Sequence, residues 1–328
     1  MHKKLTRIVT VSVLGHKAES SKANRRRVAW LNIIMNEIAR QRWQPIDAIL
    51  LPGGFFQLKS YIGELNHAAR VECINSSRSG RACATASREL AATLQDVALI
   101  VGLDSAPASK RFGGDNFVAA WRHGELAGLA RMIFPARGDT SGENGFRLRC
   151  VAEDFFSPAR VIKLRSGSKA LLCACYDMFA LRVLHSSPAR LAQHVRYLDD
   201  DRARAPPSRA RRVELIEAYR TLVLDHKVDM ALAAVHQFEA PGRDSYWQRH
   251  GIAYASAALG GGLALGAAHF WNALPDSGAS TLAAFGVGRR HLALGPHRRA
   301  HHRQPVTAKL IEGNGRKRAA ALLRLYEA

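Results

Sequence analysis

Lys169-Ala170-Leu171-Leu172-Cys173-Ala174-Cys175-Tyr176-Asp177 is an apolar run that stops on a thiol, a phenol and a carboxylate. This apolar stretch, preceded by the turn-forming Ser166-Gly167-Ser168, reads as a strand. Val161-Ile162-Lys163-Leu164 lies on the other side of that turn and completes a hairpin. Cys173 and Cys175 are two apart and would share a face on a strand. No pair among the five cysteines (Cys73, Cys83, Cys150, Cys173, Cys175) has zinc-finger spacing. Their odd number in a large chain makes a reducing cytoplasm the expected setting.

Outward from this hairpin the chain alternates strand and helix signals. Ile8–Leu14 is β-branched and alternating, and Arg7–Leu14 is taken as a first buried strand. A basic start and a short apolar run resemble a signal peptide, but Gly15-His16-Lys17 follows and no small-residue cleavage site does. Ala29–Ala39 has helical spacing, and Ser20 or Ser21 would cap it. Ala48-Ile49-Leu50-Leu51-Pro52 is a buried strand closed by Pro-Gly-Gly. Ser87–Leu94 suits a helix and Val97–Leu103 a strand. Phe117–Trp121 and Leu126–Phe134 form a hairpin about His123-Gly124. A helix over Val213–Leu224, a strand over Met230–Val235, a helix from near Tyr246 and a strand within Leu263–His269 follow. Val306–Ile311 reads as a last strand and Arg316–Tyr326 as a terminal helix. Ile252–Trp271 is too glycine-rich, and interrupted by His269, to read as a membrane span, and is explained as core. The glycines 260–262 lack the anchoring Lys or Ser of a phosphate loop and read as close backbone packing.

With 328 residues and 47% apolar composition the chain has enough material for a large core, which excludes global disorder. Lys and Arg outnumber Asp and Glu by 48 to 27, a formal charge of +21 that would attract nucleic acid, anionic membrane or acidic ligands. Two basic loops, Arg202–Arg212 (within an excursion at about 200–212) and Arg289–Arg303, hold part of the excess. The second carries His291, His297, His301 and His302 at irregular spacing without interleaved carboxylates, so it reads as a solvated loop rather than a metal site. No helix-turn-helix, zinc-finger or RNA-recognition signature accompanies either loop.

The segment ending Cys175-Tyr176-Asp177 resembles the nucleophile segment of the nitrilase (carbon–nitrogen hydrolase) superfamily, where an apolar strand runs into Cys-Tyr-Asp. Other pieces match in order: Asp47–Pro52, the hairpin from Asn116 through His123-Gly124-Glu125 to Pro135, Glu153-Asp154-Phe155-Phe156-Ser157-Pro158, and Asp229–Val235 followed by Trp247-Gln248-Arg249 and Ala253–Ala258. The resemblance spans roughly residues 5 to 312. It implies an α/β fold, a four-layer α–β–β–α sandwich over 1–312, with 313–328 as a C-terminal helix or tail. It also implies a cysteine nucleophile, a small amide or nitrile substrate, no metal or organic cofactor, no membrane, and a homodimer paired through the segment after the nucleophile.

The departures bear on activity. The family's first strand ends Pro-Glu, and that Glu is its general base; here Pro52-Gly53 stands there. The family's lysine aligns with Arg131, or with Met132 if the alignment slips by one. Arg keeps the charge but not the geometry of Lys. The auxiliary glutamate aligns with Glu153, which has a plain alternative as a surface residue at a turn. His236, just past the strand Ala231–Val235, is the candidate substitute base, with packing as its alternative. A missing base is worth about 10²–10⁴-fold. Three readings follow: a Cys175-dependent carbon–nitrogen hydrolase, impaired or not, with Arg131 and Glu153 in support; a catalytically inactive protein of this fold that binds a ligand or partner; and, less favoured, a nucleic-acid-associated basic protein.

Overall fold

The structure is a computed structural model, and it describes residues 5–107, 114–134, 148–150, 153–181, 195–197, 208–237, 251–259, 262–270, 283–285, 301–302, 305–312 and 319–328. The proposed helix near Tyr246, the Trp247–Arg249 segment, most of the Arg289–Arg303 loop and residues 202–207 lie outside the described residues.

One half of the molecule is built from β1 (Arg7–Leu14), α1 (Asn24–Arg40), β2 (Ala48–Leu50), the two-residue β3 (Phe56–Gln57), α2 (His67–Ser76), α3 (Arg78–Leu94), β4 (Ala98–Asp104), β5 (Asn116–Arg122) and β6 (Glu125–Arg131). A short β7 (Leu148–Cys150) and a single helical turn, α4 (Glu153–Phe156), lead to the other half. That half holds β8 (Val161–Lys163), β9 (Lys169–Ala174), β10 (Val195–Tyr197), α5 (Arg209–Asp225), β11 (Met230–Gln237), α6 (Ala253–Ala258), β12 (Leu263–Phe270), β13 (Ala283–Phe285) and β14 (His301–His302). The last strands, β15 (Thr307–Glu312) and β16 (Ala319–Glu327), return to the first half.

The strands join in the order β6-β5-β4-β2-β1-β12-β11-β9-β8. The six from β4 to β9 in that order are parallel to their neighbours, so their carboxyl ends share one edge. The sheet folds back on itself, and β9 packs on β5 and β6 while β11 packs on β2 and β4. Residue alternation then dictates the layers. Val9, Val11, Ile49, Leu51, Leu99 and Val101 face outward onto Leu31, Ile34 and Ile38 of α1 and Leu90 of α3. Ile8, Leu50, Ile100 and Val118 face inward, in one core with Leu172 and Ala234 of the opposing half. On the far side Tyr219 of α5 reaches Cys173. The result is the α–β–β–α sandwich.

Local signals explain most element ends. Ser77 caps α3 by accepting from the Gly80 N–H at 2.9 Å, and Ser208 caps α5 through the Arg211 N–H at 3.1 Å. His123 and Gly124 both have positive φ, 51° and 86°, the conformation a tight β5–β6 turn requires. Ser20 was a proposed cap, yet its side chain makes no capping bond, and a 3₁₀ turn over Ser21–Ala23 leads into α1 instead. The expected C-terminal helix is corrected: Ala319–Glu327 is a strand, antiparallel to β1 from Arg7↔Glu327 to Val13↔Ala321. Its Ala and Leu residues favour helix locally, but between β1 and β15 the strand buries Ala321 through Tyr326, and packing overrides propensity.

Candidate active site

β9 ends at Ala174, one residue earlier than expected, and Cys175 opens a 3₁₀ turn that runs to Leu181. Cys175 has φ +44°, a left-handed conformation costly for a residue with a Cβ, and is 8% exposed. A strand that turns sharply on a strained residue is the way an elbow presents a nucleophile. Asp177 fixes this turn. Fully buried, it accepts from the amides of Ile133 (2.9 Å) and Phe134 (3.1 Å) and from Arg160 Nη1 (3.1 Å). The elbow is thus tied to the end of the β5–β6 hairpin. Tyr176 stacks on Phe179 with ring centroids 4.1 Å apart. Cys173 is core: its sulfur lies 3.7 Å from the Tyr219 hydroxyl, and burial pushes its pKa up to about 12, which makes it inert.

Gly53 follows β2 and is squeezed from both sides. Its N–H donates to the Val235 carbonyl of β11 at 3.0 Å, which stitches the two sheet halves together. A Cβ here would lie 2.9 Å from the Ala234 carbonyl oxygen and the His236 nitrogen. On the other side, a Cβ on Gly102 of β4 would overlap the Gly53 Cα and the Pro52 carbonyl oxygen. Position 53 therefore lacks a carboxylate and also lacks room for one.

A carboxylate comes from the neighbouring strand, β4. Asp104, the last residue of β4, accepts at 2.6 Å from His236 Nε2, and Lys17 Nζ lies 3.3 Å from its other oxygen. Burial alone would raise the Asp104 pKa; His236 and Lys17 outweigh it and hold the carboxyl below its ordinary range. Asp104 is thus ionised. An ionised carboxylate can only accept, so His236 Nε2 is the donor of this bond. Among the described residues Nδ1 is buried and has no partner. Along the parallel pair β9–β11, Ala174 is level with Ala234, so the elbow of Cys175 and His236 emerge at adjacent strand ends. His269, on β12, is buried beside this group, and burial holds it well below the usual histidine pKa, hence neutral. Of the residues named from the sequence, Cys175, Gly53 and His236 come to this edge. Sequence reasoning did not name Asp104 or Lys17 as site residues, because only the fold brings His236 to Asp104 and Lys17 beside it.

Arg131 and Glu153 are placed differently. Arg131 ends β6 at the same sheet edge, but its side chain is 1% exposed and held by Asp115 at 2.9 Å and Asp154 at 3.0 Å. Asp154 also binds Arg70, Nη2 at 3.3 Å, and its main-chain oxygen accepts from Arg160 Nε at 2.7 Å. Burial would raise the Asp154 pKa, but Arg131 and Arg70 outweigh it and keep the carboxyl below its ordinary range. Arg131 is therefore a strut between hairpin, α2 and α4. Glu153 is the exposed first residue of α4. No cluster of three His, Cys, Asp or Glu suited to a metal occurs among the described residues, and none of their helices is long and apolar enough to cross a membrane.

No family model and no curated protein matches this sequence. Among solved structures the chain is similar to an amidase of the nitrilase superfamily from Nesterenkonia AN1, in a cysteine-to-alanine mutant, at 13% identity over 98% of this chain and 90% of that one, with TM-score 0.46. A complex of a double mutant of the Nesterenkonia sp. AN1 amidase with acrylamide gives 11% identity, 99% and 92% coverage and TM-score 0.46. A carbon–nitrogen hydrolase from Helicobacter pylori G27 gives 13% identity, 99% and 90% coverage and the same TM-score, 0.46. Likeness at this level leaves the chemistry of the chain to be read from its own residues.

Proposed function

We propose that this chain is a divergent carbon–nitrogen hydrolase-type protein in which His236 and Asp104 replace the family's glutamate as the base for Cys175. The observation that carries the proposal is the 2.6 Å His236–Asp104 pair with its unpartnered outer nitrogen, at a strand end next to the elbow of Cys175. In the proposed reaction His236 Nδ1 takes the Cys175 proton. The thiolate adds to an amide carbon and the tetrahedral intermediate collapses. The imidazolium returns the proton to the departing amine, leaving a thioester. Water, deprotonated by the same imidazole, then releases the acid and restores the thiol. Asp104 stabilises the imidazolium, as the acid of a Cys-His-Asp arrangement does. Arg131, paired with two carboxylates, is proposed as a positioning residue, and Glu153 as a residue of the site's outer rim. The setting is a reducing cytoplasm that keeps the thiol active. Pairing of two copies belongs to the proposal too, through a segment that lies outside the described residues.

The test is ammonia release from a panel of small aliphatic amides and nitriles. Turnover is expected, abolished by Cys175→Ala and lowered about 10²–10⁴-fold by His236→Ala. A panel without any turnover, or turnover that survives Cys175→Ala, overturns the reading in favour of an inactive, ligand-binding protein of this fold, supported by the crowding at Gly53.

A further inference from the structure

A cavity of about 750 Å³ opens on the helical face of the first sheet half, lined by residues of the chain segments 21–26, 57–62 and 73–81. None of its lining residues belongs to the group around Cys175, Gly53 and His236. Six of them are cations: Lys22, Arg25, Arg26, Lys59, Arg78 and Arg81. No Asp or Glu lines the cavity, and none of the six makes an ion pair among the described residues.

The placement of these charges is costly as it stands. Arg25 and Arg26 lie in the first turn of α1, and Arg78 and Arg81 in the first turn of α3. Neither first turn holds an acidic residue. A helix N-terminus carries a partial positive charge and favours anions, so cations there are repelled by the helix as well as by one another. Folding gains nothing from that arrangement. A dense anion in the cavity reverses every one of these interactions at once.

The floor is preorganised. Asn24 donates to the Gln57 carbonyl at 2.7 Å and accepts from the Gln57 N–H at 3.1 Å, which locks the start of α1 to β3. Ser77 is held between the Ile74 carbonyl at 2.7 Å and the Gly80 N–H at 2.9 Å, which fixes the start of α3. Hydroxyls at Ser21, Ser60 and Ser76 line the wall, and Leu58 and Ile62 supply its apolar part. Among the described residues no aromatic side chain lines the cavity, so none of them offers bases a stacking platform. A volume of this size suits a small molecule.

We propose that this cavity binds a small molecule carrying several phosphate groups. Recognition is by charge density and hydroxyl donors, as at other phosphate sites where Arg predominates. The site is independent of the chemistry proposed at Cys175, and its test does not use that activity.

The experiment is titration calorimetry of the full chain with inorganic tripolyphosphate, orthophosphate and a double-stranded oligonucleotide of 20 base pairs, at 50 and 150 mM salt, with thermal unfolding of the ligand-free protein. Tripolyphosphate is expected to bind at 150 mM salt, at least tenfold tighter than orthophosphate. The double variant Arg25→Ala/Arg78→Ala is expected to lose tenfold or more in that affinity, while its ligand-free Tm stays level or rises because repulsion is relieved. Three outcomes overturn the proposal: no tripolyphosphate binding, equal binding by the variant, or binding of the oligonucleotide alone, which would mark a nucleic-acid surface.

Discussion

At the scale of single residues the proposed site is a rearrangement rather than a deletion. Gly53 carries no carboxylate, and among the described residues Asp104 is the carboxylate that reaches His236. Introducing a glutamate by Gly53→Glu is expected to harm. Its Cβ would press on the β11 backbone at 2.9 Å, an overpacking worth about 1–3 kcal/mol before the carboxylate is accommodated. Chemical denaturation of that variant should show a clear loss of stability and no gain in amide turnover; unchanged stability would mean the two halves are looser than their hydrogen bond implies. Cys175 and His236 were legible because their neighbours in sequence carry the pattern, a strand running into Cys-Tyr-Asp and a strand ending at His. Asp104 was not, because its meaning comes from a partner 132 residues away and from the fold that brings β4 and β11 together.

At the scale of elements the strands and the β5–β6 hairpin were readable from alternation and turn residues, and β16 was not. Ala319–Glu327 is made of good helix formers, and only its place between β1 and β15 makes it a strand. The Arg131 strut was equally hidden. Nothing in the sequence around Arg131 shows that Asp115 and Asp154 hold it. Asp154 ties Arg70 of α2 to Arg131 of β6, so Asp154→Asn leaves two buried guanidinia short of a counter-charge and is expected to cost about 3–5 kcal/mol. The sign with pH follows from its depressed pKa. The stabilisation is present above the unfolded carboxylate value of about 3.9 and fades as pH falls through the lower folded value. Urea unfolding across pH should show the variant and the parent far apart near neutrality and converging in acid; a difference independent of pH would show that the carboxylate's charge is not what matters.

At the scale of the whole molecule, six parallel strands deliver their carboxyl ends to one edge, and β11 folds over β2 and β4. Ligands of open α/β sheets gather at such edges. That geometry brings Gly53, Asp104, His236 and the elbow of Cys175 into one region from four separate stretches of chain. The +21 charge is a property of the same scale, and much of it says nothing about this edge. Six cations gather instead around the cavity at the starts of α1 and α3. The claim on which the functional reading rests is that His236 and Asp104 activate Cys175. The most direct measurement is the pH dependence of Cys175 alkylation by iodoacetamide, read by mass spectrometry in the parent chain and in His236→Gln. The account predicts rapid, selective labelling of Cys175 near neutral pH in the parent, and in the variant a reactivity that rises only in the ordinary thiol range, about 8.5. Identical profiles in the two proteins would contradict it.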